Sequence, residues 1–428
     1  MNYSEALEKI DSLLVFGSRP GLERVRELLH LMGDPQNELR FIHVAGTNGK
    51  GSVCHMLASV LTAGGYKTGL FTSPHITGFG ERMRIDGEFI SESDVVSLVE
   101  RYFPFVEKLR EENKIITEFE FVTAIAFAYF KESGCDVVVL ETGMGGRFDA
   151  TNVIEKPLCS VITPLSLDHT AVLGDTLDKI AFEKAGIIKN ESCVVYALQE
   201  QTANEVIMKT AKERGCTVHI PAGNVDVVSC DYRGSVVRID GDEVLLRLAG
   251  KHQISNLKLV LAAIEALRVE GITITNECVK EGLRRVFVPA RFEVLSESPL
   301  VIADGAHNPG GMNALSAAVD ELLGGYDIVC VLGMLRDKDC RTAFSAMWGR
   351  VKKLITTTVP DSPRRQSAKE LAAAVEGICD DVTSCEDIYM AVDNAVKYAC
   401  DNKNTMVLIC GSLYLVSSLR EYLVNNLE

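Results

Sequence analysis

Short apolar runs alternate along the chain with segments in which apolar residues recur every three or four positions. The runs, which are typical of buried strands, lie at 41–45, 68–72, 136–141, 158–163 and 193–196. Between them, the longer period predicts amphipathic helices. Strands that alternate with helices in this way favour an α/β fold with a mostly parallel sheet over the first two-thirds of the chain.

A different pattern begins at residue 225. Over 225–248, three short stretches are separated only by glycine-containing turns, which indicates a small antiparallel meander, and a helix is predicted over 254–268. A second alternation follows, with a helix from Met312 and strands at 301–303, 327–332, 353–358 and 405–410. We therefore predict an N-terminal domain over 1–295 and a smaller, Rossmann-like α/β domain over 296–428.

Composition narrows the class of protein. The 428 residues carry a formal charge of −15, from 44 Lys and Arg against 59 Asp and Glu, with no basic stripe. We therefore expect no nucleic-acid partner, and local cations must meet any anionic substrate. We expect the polar, amphipathic N-terminal segment not to be a signal peptide, and no apolar run reaches the ~18 residues of a membrane span. We therefore expect no membrane partner. The scattered cysteines indicate reduced thiols in a cytoplasmic protein.

Residues 45–52 read Ala-Gly-Thr-Asn-Gly-Lys-Gly-Ser and stand between a predicted strand and a predicted helix. A glycine-rich turn in that position presents backbone N–H groups and a helix N-terminus to phosphates. Lys50 would neutralise the β and γ phosphates of a nucleoside triphosphate, and Ser52 would lie near its Mg²⁺. The spacing is shorter than in the generic motif, and Gly51 separates the lysine from the hydroxyl. The pattern nevertheless predicts an N-terminal P-loop ATPase domain.

Polar side chains also follow other predicted strands. Glu141 ends an apolar run, and ligands of open α/β sheets gather at the carboxyl ends of strands. It is therefore a candidate Mg²⁺ ligand, the alternative being a turn cap. Asp168 and His169 follow the next strand, where a metal or phosphate role is favoured over a structural one. Ser73 lies in a Thr-Ser-Pro-His turn that by itself indicates only the end of a strand.

Three later motifs are less decisive from composition alone. Glu183 and Lys184 have the composition of a solvated ion pair on a helix face. His252 or Asn256 is in position to cap the helix predicted from residue 254. Arg291 could simply be a cation on the protein surface.

The first strand of the second domain ends in Asp304, His307 and Asn308, more polar groups than a turn requires. Together with a triphosphate loop and with carboxylate and imidazole groups at other strand ends, they favour phosphoryl transfer from ATP. In that chemistry Mg²⁺ lies between the phosphates and the acceptor. A protein that only binds nucleotide would not need so many converging groups.

Six motifs occur in order between residue 17 and about residue 415. They are Ala-Gly-Thr-Asn-Gly-Lys-Gly-Ser, Thr-Ser-Pro-His, Gly-Met-Gly-Gly-Arg-Phe-Asp-Ala-Thr-Asn, Ser-Leu-Asp-His-Thr, Glu-Lys-Ala-Gly-Ile and Asp-Gly-Ala-His-Asn-Pro. This set resembles the folylpolyglutamate synthases and dihydrofolate synthases, which are ATP-dependent amide-forming ligases of the Mur ligase superfamily. The resemblance covers nearly the whole chain.

The resemblance implies roles for particular residues. Ser73 and Glu141 would ligate a first Mg²⁺ and His169 a second. Lys184 would be carbamylated, that is, capped by CO₂ to become an anionic metal or phosphate partner. Residues implied to bind ATP are Thr47, Asn48, Gly49, Lys50, Gly51, Ser52, Asn256, Arg291 and Asp304, with His307 alongside. The implied catalytic residues are Lys50, Glu141, His169 and Lys184.

On the folate side, residues 20–25 resemble the family's pterin loop, with Gly21 and Leu22 as contacts, although 17–20 departs from the family pattern. Aromatic rings at pterin-contact positions would stack on the pterin. The residues at these positions are Thr117, Phe119, Phe148 and Asp149.

The resemblance also implies the reaction. A folate carboxylate attacks the γ-phosphate of ATP to form an acyl phosphate, and the amine of L-glutamate then displaces phosphate to leave an amide. The acceptor would be tetrahydrofolate and, from the pterin loop, dihydropteroate as well; an enzyme restricted to tail extension stays open. A muropeptide ligase would need a further domain ahead of the loop, and a nucleotide-gated binding protein would not need the polar residues of the second domain. The family implies a monomer.

Overall fold

In the computed structural model of the chain, residues 1–17, 20–222, 225–360 and 362–426 are described. Ser18 and Arg19, in the segment that departs from the family pattern, lie outside these ranges. The chain groups into two compact units. Unit 1 comprises residues 1–165, 169–224 and 255–286, and unit 2 comprises residues 166–168, 225–254 and 287–428. The domain boundary near residue 295 stays a prediction.

Unit 1 is built on an eight-stranded sheet. Its strands are β1 (Phe41–Ala45), β2 (Thr68–Phe71), β3 (Met83–Ile85), β4 (Glu88–Phe89), β5 (Val137–Glu141), β6 (Cys159–Ile162), β7 (Cys193–Tyr196) and β8 (Thr217–His219). They lie in the order β4-β3-β2-β5-β1-β6-β7-β8. The six strands β2, β5, β1, β6, β7 and β8 are parallel, and β3 and β4 pair antiparallel at one edge. β1 and β5 are buried along their whole length, as expected of parallel strands covered on both faces.

Helices pack around this sheet. They are α1 (Tyr3–Asp11), α2 (Glu23–Leu31), α3 (Lys50–Ala63), α4 (Glu92–Glu111), α5 (Glu118–Glu132), α6 (Thr170–Leu173), α7 (Leu177–Lys184), α8 (Gln201–Glu213), α9 (Lys251–Val269) and α10 (Asn276–Arg285). One hydrophobic core joins α1, α2, α4 and α5 to Phe41, Phe71, Val138 and Leu140 of the sheet. The glycine-rich turn, which connects the buried strand β1 to the largely buried helix α3, therefore lies at the centre of unit 1.

Unit 2 contains two sheets. The antiparallel meander is formed by β9 (Asp226–Asp231), β10 (Gly234–Ile239) and β11 (Asp242–Leu246). The larger sheet contains β12 (Glu293–Glu297), β13 (Leu300–Ala303), β14 (Asp327–Leu332), β15 (Val351–Thr356), β16 (Val382–Ser384) and β17 (Thr405–Cys410), in the order β12-β13-β17-β14-β15-β16. It is parallel except at β12. The helices of unit 2 are α11 (Pro309–Leu322), α12 (Cys340–Phe344), α13 (Ala368–Ala374), α14 (Ile388–Asp401) and α15 (Leu413–Asn426).

The predicted α/β fold and the meander are confirmed, and β1, β7, β14 and β17 have the predicted bounds. The pattern does not predict β3, β4, β8, β12 or β16, because these strands are short and most are not apolar throughout. Helix α11 begins at Pro309 rather than at Met312. The Asn308 side chain caps it by accepting the Gly311 N–H at 2.8 Å, and proline suits the first helical position.

Two further observations concern the described residues alone. None of their helices is long and apolar enough to cross a membrane. All the cysteines of the chain lie among them and are free thiols.

Candidate active site

The glycine-rich turn joins β1 to α3, as the sequence predicts, and it is fixed by the segment that follows β6. The N–H groups of Thr47 and Asn48 both donate to the Pro164 carbonyl at 3.1 Å. These two donors are thus engaged within the protein rather than presented to a phosphate. The expected phosphate donors are therefore the N–H groups at the start of α3, which the helix itself leaves unpaired.

Two glycines of the turn allow close packing. A Cβ atom at Gly46, where φ is 155°, would lie 1.8 Å from Thr163 Oγ1. A Cβ atom at Gly49 would lie 2.5 Å from Oδ1 of Asn256, which is buried. Asn256 therefore lies against the loop but does not cap a helix, because α9 begins at Lys251; the predicted cap is wrong.

Glu141, the last residue of β5, meets two other predicted site residues. Lys50 Nζ lies 4.0 Å from Glu141 Oε1, and the Ser73 N–H donates to Glu141 Oε2 at 3.4 Å. Lys50 also donates to the Thr47 carbonyl at 3.5 Å. The structure thus brings a cation and a buried carboxylate together beside the first turn of α3.

The same region offers oxygen donors that suit Mg²⁺. Ser52 is wholly buried, and its hydroxyl has no hydrogen-bond partner among the described residues. Among the residues that the structure describes, no group of three or more His, Cys, Asp or Glu side chains is arranged to hold a metal ion. One carboxylate with hydroxyl groups nevertheless fits Mg²⁺, which binds through one or two carboxylates plus substrate phosphates and water.

Lys184, at the end of α7, is buried rather than solvated, so the interpretation from composition is wrong. Its Nζ donates to the Gly46 carbonyl at 2.7 Å, which ties α7 to the start of the loop. The neighbouring backbone is fixed as well, because the Arg147 N–H donates to the Glu183 carbonyl at 2.8 Å. Lys184 thus belongs to the loop region although it is distant in sequence.

His169 lies at another strand end, where it precedes α6. Its backbone is left-handed, with φ of 50°, and its side chain is exposed. Its role as ligand of a second Mg²⁺ stays a prediction.

The predicted folate-side residues surround the start of α5. Thr117 caps that helix, and Phe119 packs against Phe71 with ring centroids 5.9 Å apart. Gly21 and Leu22 directly precede α2. An ion pair between Arg24 and Glu120, with N···O of 2.9 Å, ties this loop to α5.

Phe148 and Asp149 differ in environment. The Phe148 side chain is 52% exposed, so its ring face is accessible to a ligand. Asp149 is buried, and its carboxylate accepts the N–H groups of Met144 at 2.8 Å and Thr151 at 3.0 Å. Burial raises the pKa of Asp149, and these hydrogen bonds oppose the rise. In this structure, Asp149 therefore fixes the backbone of its own loop.

The predicted residues of unit 2 gather after β13. Asp304 is buried and accepts the N–H groups of Phe292 at 2.9 Å and Ala306 at 2.8 Å. Ala290 and Phe292 both have left-handed backbones, with φ of 57° and 51°, and Arg291 lies between them. Strain of this kind on both sides of one residue is typical of functional positions.

A charged cluster in unit 2 contains one residue that was not anticipated from the sequence, Lys338. Asp168 pairs with Lys338, accepts from Asn308 Nδ2 at 3.0 Å and lies 3.6 Å from His307 Nε2. His307 Nδ1 in turn contacts the Gly305 carbonyl at 2.8 Å. The available signal was the charged run 336–339, which follows the strand predicted at 327–332 after a gap of three residues.

A second unanticipated residue is Arg82, in unit 1. Its Nε donates to His75 Nδ1 at 3.1 Å, and its guanidinium pairs with Glu118 at 2.9 Å. Burial, and to a lesser extent the charge of Arg82, lowers the pKa of His75 to about 4. His75 is thus a neutral acceptor that fixes the turn after β2.

The fold and the loop together define a P-loop nucleotide-binding protein with a second α/β unit. Comparison with family models gives the class. Residues 44–264 match the Mur ligase middle domain, and residues 290–413 match the Mur ligase, glutamate ligase domain.

Similar proteins extend over the whole chain. It is 36% identical to the dihydrofolate synthase/folylpolyglutamate synthase of Bacillus subtilis, over 98% of this chain and 99% of the relative. It is 35% identical to the folylpolyglutamate synthase of Lacticaseibacillus casei, over 99% of each. The solved folylpolyglutamate synthase of Mycobacterium tuberculosis, complexed with ADP, matches with a TM-score of 0.90 and 32% identity over 100% of both chains. The chain therefore belongs to the folylpolyglutamate synthase and dihydrofolate synthase family of ATP-dependent Mur-type ligases.

Proposed function

We propose that this chain uses ATP to join L-glutamate to a folate carboxylate, extending the tail of tetrahydrofolate and also converting dihydropteroate to dihydrofolate. One observation carries the proposal. Lys50, Glu141 and Ser73 meet at the carboxyl end of the central strands, and the first turn of α3 also holds the buried hydroxyl of Ser52. This combination suits a magnesium-bound triphosphate.

The chemistry follows from the groups on the two substrates. A carboxylate oxygen of the folate attacks the γ-phosphorus, the bond to the β-phosphate oxygen breaks, and an acyl phosphate and ADP result. The glutamate amine then attacks the acyl carbon, loses a proton and expels phosphate, which leaves an amide. The ammonium group of Lys50 offsets negative charge on the phosphates during the first step.

Mg²⁺ would be held by Ser73 and Glu141 at a first position and by His169 at a second. When bound, it supplies charge neutralisation to the β and γ phosphates. Ser52 provides a further oxygen beside the loop. These assignments agree with the oxygen-rich chemistry around Glu141.

Lys184 is proposed to be carbamylated. A carbamate on Nζ keeps one N–H, so the bond that Nζ makes to the Gly46 carbonyl is compatible with the modification. The carbamate oxygens would then add a negative charge next to the loop. The uncharged amine is the form that reacts with CO₂, and Lys184 is buried beside the loop.

The remaining assignments are proposed on the same basis. In unit 1, the loop residues 47–52 and Asn256 bind the nucleotide, and residues 21–22, Thr117, Phe119, Phe148 and Asp149 bind the pterin. In unit 2, Arg291, Asp304 and His307 contact the nucleotide. We also propose that the enzyme is a monomer and that its two domains divide near residue 295.

Phosphate release by the purified chain with Mg·ATP and L-glutamate tests the function, with dihydropteroate and tetrahydrofolate compared as acceptors. Release with both acceptors is the expected result. Release with tetrahydrofolate alone would restrict the enzyme to tail extension and contradict the pterin-loop argument. If folded, nucleotide-binding protein released phosphate with neither acceptor, the proposal would be wrong.

Two variants test the site. Lys50→Ala and Glu141→Ala are each expected to lower turnover by roughly 100-fold or more, since each removes charge stabilisation in a buried site. Lys209→Ala is the matched control, because that lysine is exposed on α8 and pairs only at 3.9 Å with Glu213. Turnover near that of the wild type in either site variant would refute its assignment.

A further inference from the structure

Three threonines directly follow strands in the centre of the sheet of unit 1: Thr72 after β2, Thr142 after the neighbouring β5, and Thr163 after β6, which β1 separates from β5. All three are buried, and none of their hydroxyl groups has a hydrogen-bond partner among the described residues. Their backbones, in contrast, are paired within the sheet region. The three N–H groups donate to backbone carbonyls at 3.1, 2.9 and 2.8 Å, respectively.

The fold alone does not account for these hydroxyl groups. A buried hydroxyl without a partner destabilises the folded state, whereas valine has nearly the same shape and no polar atom to desolvate. Valine is also as well suited as threonine to a strand end. Folding alone would therefore favour valine at each of the three positions. Since the described residues supply no partner, a bound ligand can be that partner for hydroxyl groups that face its site.

Two of the three side chains lie on the face of the sheet that carries Glu141. Alternate residues of a strand share a face, and the register across β1 places Val161 in one row with Glu141. Thr163, two residues beyond Val161, therefore shares that face. Thr72 occupies the next register position of β2, opposite Glu141. Thr142 alternates to the other face.

Both of these threonines also adjoin predicted nucleotide-site residues. A Cβ atom at Gly46 would lie 1.8 Å from Thr163 Oγ1, so the hydroxyl lies against the first residue of the loop. Thr72 precedes Ser73, whose N–H donates to Glu141 Oε2 at 3.4 Å. Each hydroxyl is thus attached to the rigid end of a strand beside the loop or beside Glu141.

We propose that the hydroxyl groups of Thr72 and Thr163 bind the triphosphate of the nucleotide. Each would turn about χ1, which moves the hydroxyl without moving the backbone, and donate to a phosphate oxygen. They would thus be further positioning residues of the nucleotide site, beyond the loop and Glu141. This inference rests on the proposed function, because it requires that the loop binds ATP.

The test replaces each threonine by valine and measures two quantities on the purified chain. The first is the midpoint of thermal unfolding without nucleotide, which should be unchanged or higher by about 2 °C, because valine removes a buried polar atom that has no partner among the described residues. The second is the Kd for Mg²⁺ with a non-hydrolysable ATP analogue, measured by calorimetry. The Kd should rise about tenfold for each lost hydrogen bond to a charged group.

Thr123→Val is the matched control. Thr123 lies in α5, is wholly buried, and its hydroxyl also has no partner among the described residues. The unfolding midpoint of this variant should respond as in the other two. Its Kd should stay within about twofold of the wild type, a change smaller than the loss of one hydrogen bond would cause.

The serine variants Thr72→Ser and Thr163→Ser separate loss of the hydroxyl from loss of packing. They keep the hydroxyl and should bind the analogue nearly as well as the wild type. Unchanged affinity in the valine variants, or equal losses in the serine and valine variants, would overturn the proposal. Failure of the wild type itself to bind the analogue would instead contradict the proposed function.

Discussion

Replacement of Gly46 by alanine tests whether the loop depends on its close contact with the segment after β6. The added Cβ atom would lie 1.8 Å from Thr163 Oγ1 and 2.9 Å from Thr163 Cβ. Rotation about χ1 could move the Thr163 hydroxyl but not its Cβ atom. That atom cannot easily yield, because Thr163 is wholly buried and its N–H donates to the Ala45 carbonyl at 2.8 Å. Alanine must therefore push the ends of β1 and β6 apart.

Two costs contribute to the expected effect. A side chain in the backbone conformation of Gly46, with φ of 155°, costs on the order of 1–3 kcal/mol. Overpacking of a close-packed region costs about 1–3 kcal/mol more. We therefore expect the free energy of unfolding to fall by about 2–6 kcal/mol, a large part of the stability of an ordinary domain. Affinity for nucleotide should fall as well, because Lys184 bonds to the carbonyl of Gly46 itself.

Urea unfolding, followed by circular dichroism, measures the first effect. Gly65→Ala is the control for backbone strain, because Gly65 has φ of 84° and a Cβ atom there would meet nothing within 4 Å. The double variant Gly46→Ala/Thr163→Ala removes the closest contact and should be more stable than the sum of the single effects predicts. If Gly46→Ala cost no more than Gly65→Ala, close packing would not be the reason for glycine at this position.

Three further predictions concern other parts of the molecule. Arg24→Ala breaks the ion pair with Glu120 that ties the predicted pterin loop to α5, so the KM for the folate acceptor should rise several-fold in steady-state assays while the KM for ATP stays unchanged. Burial, and to a lesser extent the charge of Lys189, lowers the pKa of His43 from 6.5 to about 3, so the unfolded chain binds a proton that the folded chain does not. His43 therefore contributes stability that is complete above pH 6.5 and is lost by about 1.4 kcal/mol per pH unit as the pH falls towards 3. Between pH 7 and pH 5, the free energy of unfolding measured in urea should change less for His43→Gln than for the wild type. Asp304→Ala leaves two buried backbone N–H groups without their acceptor, so the free energy of unfolding should fall by about 2 kcal/mol or more, and a value within error of the wild type in chemical denaturation would contradict this role.

The sheet could be predicted from the sequence where its strands are buried on both faces. Such strands are continuous apolar runs, and the bounds of β1, β7, β14 and β17 follow directly from them. The strands that the pattern does not predict, such as β3 and β16, include polar and partly exposed residues. Their pairing depends on neighbours distant in sequence, which hydrophobic periodicity does not reveal.

The loop was predictable for a different reason. Its residues from Gly46 to Ser52 are contiguous, so the spacing of glycine, lysine and serine is visible in the sequence. The groups that fix the loop are not contiguous with it, since Pro164 and Lys184 reach it from other strand and helix ends. Local composition predicted that Lys184 is solvated. The prediction failed because an eight-residue helix has too few turns to show which of its faces is buried.

The difference between contiguous and distant residues also explains why the role of the threonine hydroxyl groups could not be predicted from the sequence. Thr72 and Thr163 each end an apolar run, where a β-branched residue is unremarkable. Only the structure shows that each is buried and that its hydroxyl has no partner among the described residues. A buried polar atom that the fold leaves unsatisfied has a cost, and binding of a ligand is the event that can offset it. The unsatisfied groups of a folded protein are therefore as informative about its ligand as the groups that are already paired.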